Sequence, residues 1–178
     1  MEPWFQEADA TLMADAGFEL IARTAVGMVE QLNPEFRSCH TIEIDSNQRV
    51  RGRYFTVLVH ILFFMLDNAI QHSAMPRGRF VSKLIIRTEG NSLQMSVENQ
   101  MSSPAAAQAA CAQISAKVSE LKITLDPAKV IKEGGTGFAK IIAAVRYEFR
   151  QPDPIVKASS NGTSIKTTVL CQLAGLTV

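Results

Sequence analysis

Apolar residues in the first part of the chain recur at intervals of three and four. Between Glu7 and Leu32, Phe18, Ile21, Ala25, Met28, Val29 and Leu32 form one stripe, the spacing of a helix with a single buried face. Gly17 is a point at which this run divides into two helices, and Asn33-Pro34 ends it. The period then shortens to two. Thr41-Ile42-Glu43-Ile44-Asp45 alternates as a short strand, with Asp45-Ser46-Asn47 as the turn after it. From Arg51 to Ser73 the pattern is a long helix, apolar nearly all round through Ile61-Leu62-Phe63-Phe64-Met65-Leu66, and Met75-Pro76-Arg77-Gly78 stops it.

Two strands follow. Phe80 to Thr88 holds the β-rich run Leu84-Ile85-Ile86, and Glu89-Gly90-Asn91-Ser92 is a hairpin turn. Leu93, Met95 and Val97 alternate with Gln94, Ser96 and Glu98, which implies a sheet with one open or partly covered face. From Asn99 to Glu133 the character changes. Ser102-Ser103-Pro104 marks a break and a helix start, Ala105 to Leu121 is Ala-rich and helical, and Asp126-Pro127 opens another short piece. Excursions of this length between a strand and a glycine cluster commonly serve as lids. The cluster itself is Lys132-Glu133-Gly134-Gly135-Thr136-Gly137-Phe138, leading into a helix from about Thr136 to Phe149. Pro152 and Pro154 stop it. Ile155-Val156-Lys157 and Ser164 to Leu173 close the chain as strands around the Asn161-Gly162 turn. This order predicts an α+β fold, a two-layer α/β sandwich whose mixed, mostly antiparallel sheet carries its helices on one face. Residues 1–35 read as an N-terminal helical segment and residues 36–178 as the main domain, with a lid at about 100–133.

Composition narrows the classes. A length of 178 residues, 47% hydrophobic and 20% charged, suits one domain with a sizeable core. Net charge is +1 with no run of Lys or Arg, which argues against nucleic acid as a partner. Cys39, Cys111 and Cys171 are odd in number and widely spaced, so they read as free thiols in a reducing compartment. No uninterrupted apolar run reaches the roughly 18 residues of a membrane span, and the start Met1-Glu2-Pro3-Trp4 lacks the features of a signal peptide. The expectation is a cytoplasmic protein with no membrane partner.

Four places carry candidate chemistry. Asn68 and His72 are four apart, hence stacked on one helix face, and an Asn in so apolar a helix must be exposed, satisfied internally or facing a ligand. The glycines before the last helix let backbone N–H groups approach an anion closely. They form neither a Walker A loop nor a dinucleotide fingerprint, and a structural helix-entry turn accounts for them equally well. Asn99 ends its strand just before the lid, where a polar residue is ordinarily a turn former. Gly162-Thr163 sits in the last hairpin.

On these elements and in this order, the four places resemble the Bergerat-fold (GHKL) ATPase superfamily, and most closely the ATP-binding domain of sensor histidine kinases. Met65-Leu66-Asp67-Asn68-Ala69-Ile70-Gln71-His72-Ser73 is similar to the family's N box. Met95-Ser96-Val97-Glu98-Asn99 stands where its first glycine box begins, Gly135-Thr136-Gly137-Phe138 matches its second, and Asn161-Gly162-Thr163 resembles its final hairpin. The resemblance covers about residues 36 to 178. It implies ATP and Mg²⁺ as cofactors, with Asn68 as metal ligand bridging the phosphates and His72 near them. It further implies Asn99 in place of an adenine-reading Asp, Gly135, Thr136 and Gly137 around phosphate, and Thr163 supporting the adenine side. Lys132 is a lid contact by its position alone.

Three departures shape the expected activity. Hydrolytic members carry a Glu four residues before the N-box Asn, where this chain has Phe64. The first glycine box lacks its glycines, since Gln100-Met101-Ser102-Ser103 follows Asn99. Of the three histidines, His40, His60 and His72, none lies in the N-terminal helix where a kinase's phospho-acceptor would sit. The expectation is therefore an ATP-binding module with weak or no intrinsic hydrolysis. It would act as a nucleotide-gated switch or as the nucleotide domain of a larger protein, with a protein partner or fused domain. A phosphate acceptor, if there is one, lies on another chain. The alternative is a non-catalytic interaction domain on a degenerate ATPase fold that has lost nucleotide. The stripe of the first helix either covers the sheet or is the stump of a dimerisation helix in a homodimer; its polar face is not patterned like a coiled coil, which favours the first.

Overall fold

The alternating segments assemble into a five-stranded sheet of order β2-β4-β5-β7-β6, built from β2 (His40–Asp45), β4 (Ser82–Glu89), β5 (Ser92–Gln100), β6 (Ile155–Asn161) and β7 (Ser164–Gln172). The computed structural model describes residues 14–36, 39–73, 75, 80–124 and 137–178. β4, β5, β7 and β6 pair antiparallel, joined by two tight hairpins in which Gly90 (φ 56°) and Gly162 (φ 58°) take the first loop position. Positive φ there is what a turn matched to strand twist requires. β2 lies parallel to β4, and a parallel neighbour needs a crossover. The crossover is helix α2 (Phe55–His72), entered through a 3₁₀ turn at Gly52–Tyr54.

The two faces of the sheet differ as the alternation in β5 predicts. Leu84, Ile86, Leu93, Met95, Val97, Val169 and Cys171 are buried under helices. The opposite face is polar: Glu43 pairs with Lys83 and, at 2.8 Å, with Arg87, Ser96 bonds Thr168 at 2.9 Å, and Ser164 donates to Glu98 at 2.7 Å. Helices thus lie on one face, giving the expected two-layer α+β sandwich.

α2 is the central helix. By length and composition Gly52–His72 could cross a membrane; in the fold it buries eight side chains, from Val57 to Ile70. Helix α1 (Phe18–Leu32) packs beside it, sinking Phe18, Ile21, Ala22, Ala25 and Val29 into the same core, and ends where the Asn33 N–H bonds Val29 O at 2.8 Å. Before α1, Ala16–Gly17 (β1) pairs with Arg49–Val50 (β3) in a two-residue ladder, too short to leave a period in the sequence.

Helix α3 (Pro104–Thr124) fills the described part of the segment expected as a lid and packs on β6 and β7, with Ala107 buried against Met101 and Ile165. Helix α4 (Gly137–Ala143) runs beside α2 and continues into a π-helical turn, Ala144–Glu148, closed by the Phe149 N–H on Ala144 O at 3.2 Å.

Candidate functional site

The C-terminal half of α2 presents Met65, Asn68, Ala69 and His72 at spacings of three and four, so they form one strip. That strip is one wall of a cavity of about 320 Å³. Asn99, Met101, Ile165 and Thr167 come from the ends of β5 and β7, Phe138 from α4, and Ala110, Gln113, Ile114 and Lys117 from α3. Among the described residues the lining holds His72 and Lys117 and no carboxylate.

Asn99 is placed by register. It pairs with Ser82 on one side and Ile165 on the other, which puts its side chain on the helix-covered face, 6% exposed. Its amide nitrogen donates to Gln100 O at 3.2 Å and lies 3.6 Å from Met101 Sδ. The amide nitrogen thus has its partners, and Oδ1, which has none among the described residues, is left as an acceptor at the cavity wall. Behind it in the same cross-strand row, His40 Nδ1 bonds Ser82 Oγ at 2.7 Å. Burial holds the His40 pKa below the usual imidazole range, against an opposing pull from Glu30.

Asn68 is the other amide of the cavity. Its Nδ2 is buried without a hydrogen-bond partner among the described residues, an arrangement that costs free energy unless a ligand completes it. Its neighbour is Gly137, the first residue of α4. A methyl group at position 137 would stand 2.9 Å from Asn68 Cγ and Oδ1, and closer still to Nδ2. Only glycine lets the two helices meet here with the amide in this position. His72, one turn on, is exposed at the mouth.

The structure therefore brings together Asn68, His72 and Asn99, with Gly137 against Asn68. Thr163 is not part of the lining: it lies exposed in the β6–β7 turn, and its carbonyl receives the Met101 N–H at 2.8 Å. Lys132, Gly135 and Thr136 lie outside the described residues. Phe64 faces a separate cavity. Met65, Met101, Gln113, Ile114, Lys117 and Thr167 escaped the sequence reading. The i, i+3, i+4, i+7 spacing of Ala110, Gln113, Ile114 and Lys117 is a helix face, but nothing in so Ala-rich a segment marks that face as the inner one.

Residues 17–164 match the family described as "y4jQ C-terminal putative histidine kinase domain". The chain belongs to this family. Its fold is that of the GHKL superfamily, seen in the catalytic domain of histidine kinase ThkA at 15% identity and a TM-score of 0.59, covering 90% of this chain and 97% of that one. The mycobacterial sensor histidine kinase MprB superposes with a TM-score of 0.53 at 12% identity over 90% of this chain and 97% of that chain. The histidine kinase domain of the Erythrobacter litoralis EL346 blue-light activated kinase gives 0.55 at 14% over 89% of this chain, which spans 65% of that one. No curated protein matches the sequence.

Proposed function

We propose that the chain is an ATP-binding module of histidine-kinase type, a nucleotide-gated switch or the nucleotide domain of a larger protein, with weak or no hydrolysis of its own. One observation carries this reading: two amides from different elements, Asn68 and Asn99, reach one cavity whose lining has no carboxylate among the described residues, with Gly137 pressed against the first. The residues fit the ligand. Asn99 Oδ1 accepts from the adenine amino group, and Met65, Met101, Ile114, Phe138 and Ile165 supply an apolar bed for the base. At the other end the Asn68 oxygen would hold Mg²⁺, an ion that keeps several waters and takes few protein ligands, and the unpartnered Nδ2, a donor, would give its hydrogen bond to a phosphate oxygen. When bound, the ion neutralises phosphate charge. Lys117 adds an ammonium to the same lining, and His72 adds ring nitrogens able to donate or accept a hydrogen bond.

Phe64 explains the expected lack of hydrolysis. A phenyl ring accepts no proton and orients no water, so a bound triphosphate persists until a partner supplies the acceptor. α3, which contributes one wall of the cavity, is the element whose surface would report nucleotide occupancy to that partner. The alternative of a degenerate, nucleotide-free interaction domain leaves the orphaned Asn68 amide without a use.

The test is a thermal melt with and without Mg-ATP. Ligand at about 100 times its Kd stabilises by about 2.7 kcal/mol, and Asn68→Ala should abolish the shift. Without nucleotide the same variant should melt no lower than the parent, because Ala is the better helix former and leaves no buried amide unpaired. Absence of any shift at millimolar ATP overturns the proposal.

A further inference from the structure

A second cavity, of about 230 Å³, opens between α2 and the α4–π segment and shares none of its described lining residues with the first. His60, Ile61 and Phe64 line it from α2, and Lys140, Ala143, Ala144, Tyr147 and Glu148 from the other side. Its position follows from the helix contacts. Asn68 meets Gly137; one turn further along both helices, Phe64 meets Lys140. The Lys140 ammonium lies 4.8 Å from the centroid of the Phe64 ring, and among the described residues it has no carboxylate partner. Phe64 is steadied by Phe63, its ring centroid 5.3 Å away.

A partly buried lysine resting on an aromatic ring is held weakly, whereas an ammonium meeting a phosphate oxygen makes a charge-assisted bond. Its four-carbon stem can swing across one helical turn. We propose that the second cavity receives the terminal phosphate of a nucleoside triphosphate bound at Asn68, with Lys140 as the residue that binds it and the Phe64 ring as the resting place of Lys140 when no triphosphate is present. This rests on the nucleotide reading above and adds to it a means of telling triphosphate from diphosphate. Glu148 also lines the cavity, and its charged form would oppose an anion there. Burial raises the Glu148 pKa, disfavouring its charged form there.

Calorimetric titration of the parent, Lys140→Met and Lys140→Arg with Mg-ADP and with a non-hydrolysable Mg-ATP analogue decides it. Lys140→Met should weaken the triphosphate analogue by about tenfold and leave ADP within about twofold, while Lys140→Arg keeps most of the difference. Ligand-free melting temperatures show that each variant folds. His60 provides an independent reading: burial chiefly, and the Lys140 charge second, lower its pKa. Its imidazole signal should therefore titrate higher once the triphosphate analogue draws Lys140 away, and should stay put with ADP. Equal losses on both nucleotides, or no loss, overturn the role of Lys140 and leave nucleotide binding standing. A parent that binds neither overturns both.

Discussion

The two cavities share the α2–α4 seam and differ in what stands behind them. In the first, Asn99, Ile165 and Thr167 stand on strands locked in a hydrogen-bonded ladder, and Met101 follows directly with its N–H on Thr163 O, so the acceptor at Asn99 is fixed before any ligand arrives. In the second, every described lining residue is on a helix or the π turn, and its charged groups sit on long side chains. A fixed amide suits selection of a base by hydrogen-bond pattern. A swinging ammonium suits a phosphate that is present in one nucleotide state and absent in another. The boundary between these behaviours is a single turn of α2, from Asn68 back to Phe64.

Gly137→Ala should disturb that boundary most. The new methyl must displace the Asn68 amide or part the helices, an overpacking cost of about 1–3 kcal/mol offset by up to about 1 kcal/mol of helix propensity. ATP affinity should fall by about tenfold or more, beyond what the melting temperature accounts for. Titration calorimetry beside a melt checks this, and unchanged affinity would break the claim that the contact organises the first cavity. Asn99→Leu comes next, because it leaves the adenine amino group facing carbon. The loss of about 1–3 kcal/mol in ATP binding should spare inorganic triphosphate, which separates the base end from the phosphate end.

The smallest effect is in pH dependence. Burial lowers the pKa of His40 beside the first cavity and of His60 in the second. The unfolded chain then takes up protons first, so stability present above about 6.5 declines as pH falls from there toward the folded values. Glu148, whose pKa burial raises, acts in the opposite sense, its stability declining as pH rises from about 4.5. Imidazole signals followed by NMR separate the contributions. Either histidine titrating above its ordinary value would contradict the burial described.

Much of this was legible from period alone. Leu93, Met95 and Val97 announced a sheet with one covered face, and Asn161-Gly162 marked a hairpin. The apolar run ahead of Asn68 read directly as a buried helix. The parts that stayed hidden have physical reasons. The parallel partner of β2 depends on a crossover rather than on local pattern, and the β1–β3 ladder is too short to have a pattern. α3 has alanine on every face, so Gln113 and Lys117 look like ordinary surface residues until the sheet beneath them is known. Thr163 was visible as a turn residue, yet it lies in the loop before β7, and the cavity wall begins on the strand itself, at Ile165 and Thr167. Asn99 could be seen to end a strand, but the direction of its amide depends on Met101, a neighbour with no motif of its own.

The π turn at Ala144–Glu148 has a consequence for how copies of this chain can diverge. It holds an extra residue per turn compared with an ordinary helix, so the wall carrying Tyr147 and Glu148 owes its position to chain length as well as to side-chain identity. Loss of one residue there would return the turn to ordinary α-helical winding and shift the wall that carries Tyr147 and Glu148, together with Phe149, which now packs edge-to-face on Tyr54 at 5.7 Å. Substitutions would only change the lining of the second cavity. A one-residue deletion would erase it while leaving Asn68 and Asn99 intact, and such a copy would be expected to bind a nucleotide without distinguishing how many phosphates it carries.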